Sequence, residues 1–267
     1  MHTGTMARTL IALIIVFAIF ASLVVIGWYF VGESIRSQPE YRLKVERITV
    51  SPPPIWVPEC FVENVLRTSG LDRTGSLLDR SIDQKLMEAF VTHPWVERVE
   101  RIELRYPSGA DVRLSYRIPV ALVEIPGRNA QGRNIVPVDR HGVVLPQEFL
   151  TDTLYDRRSE HFVIQGIQSL PLGSVGTPWG DPLVQTAAQL ADALTDVAEP
   201  LTLAQIVLAS GGTWRLQTVA GTEFHWGPFA PGEQSIETKK KRLRDLHDQF
   251  RSLDNVPENL RDLNTSQ

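Results

Sequence analysis

HPWVERVERIELRYPSGADVRLSYRIPVA, residues 93–121, holds a helix end, two strands and the hairpin turn between them. From Ala110 to Ile118 the even positions are apolar (Ala110, Val112, Leu114, Tyr116, Ile118) and the odd ones polar (Asp111, Arg113, Ser115, Arg117). That period of two marks a half-buried strand with one solvated face. The first strand is less regular, because Val96 and Val99 break the phase of Ile102 and Leu104. Pro107 presets φ for the turn, Ser108 suits the next position, and Gly109 can take positive φ. No residue of the stretch is placed for chemistry, so it reads as part of a docking module.

Upstream, Leu43 to Val50 reads as a strand whose apolar phase slips between Val45 and Ile48, and Ser51-Pro52-Pro53-Pro54 stops it. Pro58 to Ser69 reads as a helix ended by Gly70, the usual left-handed cap. Ser81 and Gln84 have capping-box spacing, and the helix they open carries Ile82, Leu86, Ala89 and Phe90 on one face before Pro94 closes it. Strand, two helices and two strands make a small α+β unit.

Downstream the chain turns mostly to strands. Ile135–Val138 and Val143–Leu145 flank the turn tetrapeptide Asp139-Arg140-His141-Gly142, and Phe162–Ile164 is a short strand. Asp181-Pro182 starts a helix with the stripe Leu183, Ala187, Leu190, Leu194 and Val197. Leu203–Leu208, Trp214–Val219 and Thr222–Trp226 read as successive strands. A last helix presents Ile236, Leu243, Leu246 and Phe250, and from Asn255 onward the chain is polar and expected to be loose.

At 267 residues one large or two small domains fit, and a net charge of −4 argues against general nucleic-acid binding. Cys60 is the single cysteine, which excludes an intramolecular disulfide; Phe61, Val62, Val65 and Leu66 around it predict a buried thiol. Leu10 to Val31 carries no charge, and as a helix it would span about 33 Å, enough for a bilayer core. Trp28 and Tyr29 stand at its end, where an aromatic belt belongs. A membrane anchor is the expectation.

Candidates for chemistry are few. The histidines show no HExxH pairing, and Asp139-x-His141 is explained by its turn. Leu172-Gly173-Ser174-Val175-Gly176 lacks the spacing of a nucleophile elbow. Lys239-Lys240-Lys241-Arg242-Leu243-Arg244 reads as a solvated helix face, with an acidic partner or anionic lipid as the functional alternative. No catalytic, metal or cofactor site is expected.

Certain motifs are similar to those of one family. Ile48 and Val50 resemble its opening strand, and Gly70 its first helix stop. Pro94-Trp95-Val96 resembles its helix-to-strand junction, Pro107 its hairpin, Arg117-x-Pro119 its exit and Val138-Asp139-x-x-Gly142 the start of its second domain. Together, over about 40–250, they resemble the bacterial division proteins FtsQ and DivIB. The resemblance implies an α+β chain with an N-terminal transmembrane helix, a POTRA-like module and a mostly-β second domain with two helices. Its implied boundaries are a cytoplasmic tail over 1–8, a membrane helix over 9–32, a linker over 33–40, the POTRA-like domain over 41–121, the β domain over 122–253 and a tail over 254–267.

The implied role is a non-enzymatic scaffold in the inner membrane at the division septum, with its C-terminal domains outside the cytoplasm. Its partners would be other single-pass division proteins, septal peptidoglycan-synthesis proteins and the membrane, with no nucleic acid, small-molecule substrate or cofactor. Arg113, Arg117, Trp226 and Arg261 are the candidate partner-binding residues. A POTRA-containing transport or envelope-assembly factor and an anchored extracytoplasmic enzyme are the alternatives.

Overall fold

The structure, a computed structural model, describes residues 15–28, 39–126, 134–147, 161–229 and 233–264. The chain is α+β with two sheets. Among the described residues one compact unit takes those up to Val91 together with Arg98–Ser115. The other takes Thr92–Glu97 and those from Tyr116 onward.

The expected membrane span is not borne out. Among the described residues no helix is long and apolar enough to cross a membrane. Helix α1 covers 15–28 and rises about 21 Å, against a hydrocarbon core of roughly 30 Å. Leu10, Tyr29 and Val31 lie outside the described residues, and Trp28, the last described residue of α1, is exposed. With the span falls the single-pass inner-membrane placement that rested on it.

In the first unit, β1 (Ile48–Val50) precedes helices α2 (Phe61–Ser69), α3 (Leu71–Thr74) and α4 (Ile82–Val91). Strands β2 (Val96–Arg105) and β3 (Gly109–Tyr116) follow, with β2 rooted at Val96–Glu97 in the second unit. The sheet order is β1-β3-β2, with β1 parallel to β3 and Ile48 opposite Ala110. Phe61, Val65 and Leu66 of α2, Ile82, Leu86 and Phe90 of α4, and Ala110, Val112 and Leu114 of β3 are all buried. The rings of Phe61 and Phe90 sit 5.9 Å apart. The alternation holds from Ala110 to Leu114 with the even face inward, but the strand ends at Tyr116 and Ile118, expected on the inward face, is exposed.

Several local expectations change. The strand begins at Ile48 because Val45–Arg47 forms a 3-10 turn. Helix α2 begins at Phe61, after a turn closed by the Phe61 N–H on the Pro58 carbonyl (3.0 Å). Cys60 stands just before the helix and is exposed, its Sγ accepting from Asn64 Nδ2 at 3.2 Å. Gly70 does cap α2 in the left-handed region (φ 73°). The capping box does not form: Ser81 Oγ donates instead to Asp79 Oδ1 (2.9 Å), and Gln84 donates to Glu88. Lys85 Nζ bonds the other Asp79 oxygen at 2.6 Å, and with Ser81 it holds the Asp79 carboxyl down to about 2. Gly109 has no positive φ. A Cβ there would lie 2.6 Å from the Arg47 carbonyl oxygen, so close backbone approach is what demands glycine.

The second unit holds a six-stranded mixed sheet in the order β5-β4-β6-β7-β8-β9. Its strands are β4 (Pro119–Ile125), β5 (Asn134–Asp139), β6 (Phe162–Gln165), β7 (Leu203–Ala209), β8 (Thr213–Thr218) and β9 (Glu223–Gly227). Strands β4, β6 and β7 run parallel, and the rest pair antiparallel. Val120 to Val123 of β4 are buried without alternation, as a strand covered on both faces requires. Helix α5 (Pro182–Ala198) crosses from β6 to β7, capped by Asp181, whose side chain accepts the Leu183 N–H. Its inward stripe starts at Val184, since Leu183 in the first turn is exposed.

The segment beyond helix α6 (Ile236–Phe250) is not loose. Leu253, Val256 and Leu263 are buried in the core of this unit. Thr218 Oγ1 bonds Asp254 (2.5 Å), and Arg261–Leu263 lies along β9. Three apolar residues spaced through a polar stretch anchor it.

Candidate functional site

The motif residues of the second unit converge at the start of β4. The Arg117 N–H donates to the Trp95 carbonyl (2.9 Å), and Trp95 and Val96 are buried. Arg117 Nη1 bonds Asp139 Oδ2 at 2.6 Å, with the two side chains 16% and 3% exposed. The other Asp139 oxygen accepts the N–H groups of His141 (2.8 Å) and Val143 (2.9 Å). The Gly142 N–H closes the turn on the Asp139 carbonyl. Gly142 is left-handed (φ 70°), and a Cβ there would come 3.1 Å from Gln185 Cα. Pro94-Trp95-Val96, Arg117-x-Pro119 and Val138-Asp139-x-x-Gly142 thus form one buried lock. Both Asp139 oxygens are engaged in holding the turn and the Arg117 guanidinium.

At the rim, Glu97 accepts from Arg140 (2.7 Å) and lies 3.2 Å from His141 Nε2. Partial burial pushes the Glu97 carboxyl up, but Arg140 and His141 outweigh it and hold it below its usual range. Nearby, His93 Nδ1 accepts the Trp95 N–H at 3.3 Å, and burial lowers the imidazole's pKa. The unfolded chain therefore takes up this proton before the folded one does. His93 costs nothing above the ordinary histidine pKa of about 6.5, and stability falls as pH drops through it. Urea midpoints at pH 7.5 and 5.5 should show a smaller loss for His93→Gln than for the unsubstituted protein.

Of the four candidate partner-binding residues, Arg113 alone is solvent-facing, on the odd face of β3. Arg117 is bound into the lock. Trp226 is 1% exposed, pointing inward beside Phe224 in β9. Arg261 Nε donates to the Val256 carbonyl and shapes the C-terminal turn. The basic cluster of α6 is also partly internal. Lys239 is buried, bonding Glu233 (2.9 Å) and the Trp226 carbonyl (2.6 Å) and lying 5.2 Å from the Trp226 ring centroid. Lys240 bonds Asp196 and the Ala193 carbonyl. Aliphatic stems let lysine run through a core to reach an acceptor, which charge counting on a helical wheel does not reveal.

Strand edges distinguish the two sheets. The Leu145 N–H bonds the Pro137 carbonyl (2.9 Å) and covers β5. The His225 N–H bonds Arg261 O (2.9 Å), and the Leu263 N–H bonds His225 O (3.0 Å), covering β9. In the smaller sheet the three-residue β1 and the ten-residue β2 stand at the two edges, with no strand on their outer sides among the described residues. Among the described residues no group of three His, Cys, Asp or Glu side chains could hold a metal ion.

No family model matches this chain, and no curated protein is significantly similar to it.

Proposed function

We propose that the protein is a non-enzymatic scaffold of the bacterial division machinery, linking components of septal peptidoglycan synthesis through protein–protein contacts. The observation that carries this reading is the unit of one strand, three helices and two strands in which the ten-residue β2 has no strand on its outer side among the described residues. One face of that sheet is buried, while the other presents Arg113 and the charged residues of β2. Such an edge binds partners by main-chain hydrogen bonds, with flanking side chains choosing among them. The motif order Pro-Trp-Val, Arg-x-Pro and Val-Asp-x-x-Gly supports placing the scaffold in cell division.

Depletion tests the role directly: cells should elongate without dividing, and normal division on depletion would overturn it. Arg113→Glu should abolish co-purification with other division proteins while leaving the melting temperature unchanged. Arg113 is exposed, so folding does not depend on it.

A further inference from the structure

Strand β2 carries its charges in an unusual order. Arg98, Glu100, Arg101, Glu103 and Arg105 are exposed, whereas Val99, Ile102 and Leu104 are half-buried. Glu100 and Arg101 are consecutive yet both exposed, so the alternation slips by one between them. Strand β3 bears this out. Glu100 accepts from Ser115 at 2.9 Å, and Arg105 pairs with Asp111. Ser115 and Asp111 both lie on the odd face of β3, opposite the buried Ala110, Val112 and Leu114. Residues of opposite parity on β2 therefore share one face. Along that face Arg98 and Glu100 sit 3.3 Å apart, and Arg101 and Glu103 2.6 Å apart.

The slip allows a pairing that a regular strand cannot make. Two copies of one strand pair antiparallel about a two-fold axis normal to the sheet, and opposed residues must point to the same face. Without a slip, only residues of equal parity can oppose each other. With it, the axis can pass between Glu100 and Arg101. Arg98 then faces Glu103 of the second copy, Glu100 faces Arg101 of the second copy, and Val99 faces Ile102 of the second copy. Symmetry repeats each pair, so over Arg98–Glu103 every charge meets its opposite and Val99 meets Ile102; beyond that stretch Glu97 would face Leu104 and Val96 would face Arg105, so the matched pairing is confined to these six residues. The registers two steps away fail, setting Arg98 against Arg101 or Glu100 against Glu103 and opposing residues of different faces, Val99 with Glu100 or Arg101 with Ile102.

We propose that β2 pairs edge to edge with β2 of a second copy in this register, joining two three-stranded sheets into one of six strands. The proposal rests on reading the β2 edge as a docking strand, and it names a second copy of this chain as the occupant. The same charges that reject most strands at an open edge admit this one. The pairing covers the edge that a partner strand would otherwise use, so a second copy and a partner strand compete for it. The interface is small, so its Kd should be on the order of micromolar or weaker.

Sedimentation of the full chain over a concentration series tests this, in a non-ionic detergent because α1 is exposed and apolar. The unsubstituted protein should dimerise reversibly, and more weakly as salt rises. Glu100→Arg and Arg101→Glu should each weaken the dimer about tenfold or more, since each sets like charges face to face twice. The double variant Glu100→Arg/Arg101→Glu should restore it, because it exchanges two charges that face each other. Arg98→Cys with Glu103→Cys, in a Cys60→Ser background, should give a disulfide-linked dimer on a non-reducing gel.

A protein that stays monomeric at every concentration, or a double variant no better than the singles, would overturn the pairing. If the pairing fails while Arg113→Glu still abolishes co-purification, the scaffold reading stands without it. If the dimer forms and depletion leaves division normal, the pairing stands and the scaffold reading falls.

Discussion

Asp139→Ala should lower the stability of the second unit by about 3–5 kcal/mol, the range for removing one partner of a buried ion pair. Arg117 stays buried after its carboxylate is gone, and the N–H groups of His141 and Val143 lose their acceptor. The unit is of a size at which this moves melting by roughly 10 °C. Asp139→Asn keeps an oxygen for the two N–H groups and should cost less. Pairing Asp139→Ala with Arg117→Met should recover part of the loss, because the penalty comes mostly from an uncompensated charge. Urea titration followed by the fluorescence of buried Trp95, Trp179, Trp214 and Trp226 reads it out. A loss under about 1 kcal/mol would mean that solvent reaches Arg117 and the lock is not dry.

Leu263→Ala should cost about 2–5 kcal/mol, the range for truncating a core leucine and leaving a cavity. Leu263 is 0% exposed, and its N–H is one of the two bonds that hold the C-terminal segment on β9. Asp262→Ala, one residue away and half-exposed, should cost far less. The contrast separates packing of one side chain from general loosening of the segment. Equal midpoints for the two variants in denaturant titrations would return this segment to the status of a loose tail.

These two predictions sit where sequence reading was strongest and weakest. Arg117-x-Pro119 and Val138-Asp139-x-x-Gly142 stood out as motifs, and their spacing marked a strand exit and a turn. That Arg117 and Asp139 bond each other was not visible, because 22 positions of chain separate them and alternation assigned Arg117 to the solvated face. Trp226 failed similarly. An aromatic near a strand end suits an interface or a core equally well, and only the inward turn of β9 decides which. Lys239 defeated pattern reading altogether, since burial of a lysine depends on an acceptor supplied from elsewhere, here the Trp226 carbonyl and Glu233. The C-terminal segment was misread for the opposite reason: its composition is polar, but its three buried apolar residues are spaced to fit a surface that composition does not describe.

The amino-acid sequence by itself determined the turn of Asp139 to Gly142, the left-handed cap at Gly70 and the inward face of β3. All of these follow from local chemistry: side-chain period, the φ that glycine allows, and proline's missing donor. It also displayed the irregular phase of β2, where Val96 and Val99 break the phase of Ile102 and Leu104. Tertiary structure alone decided which strand edges are covered, which charges are buried and where the C-terminal segment lies. Those outcomes depend on groups distant in the chain meeting in space, where a buried charge or an unpaired edge is tolerated only if another segment arrives to satisfy it. The β2 edge, like the much shorter β1 edge of the same sheet, is a place where, among the described residues, no strand arrives.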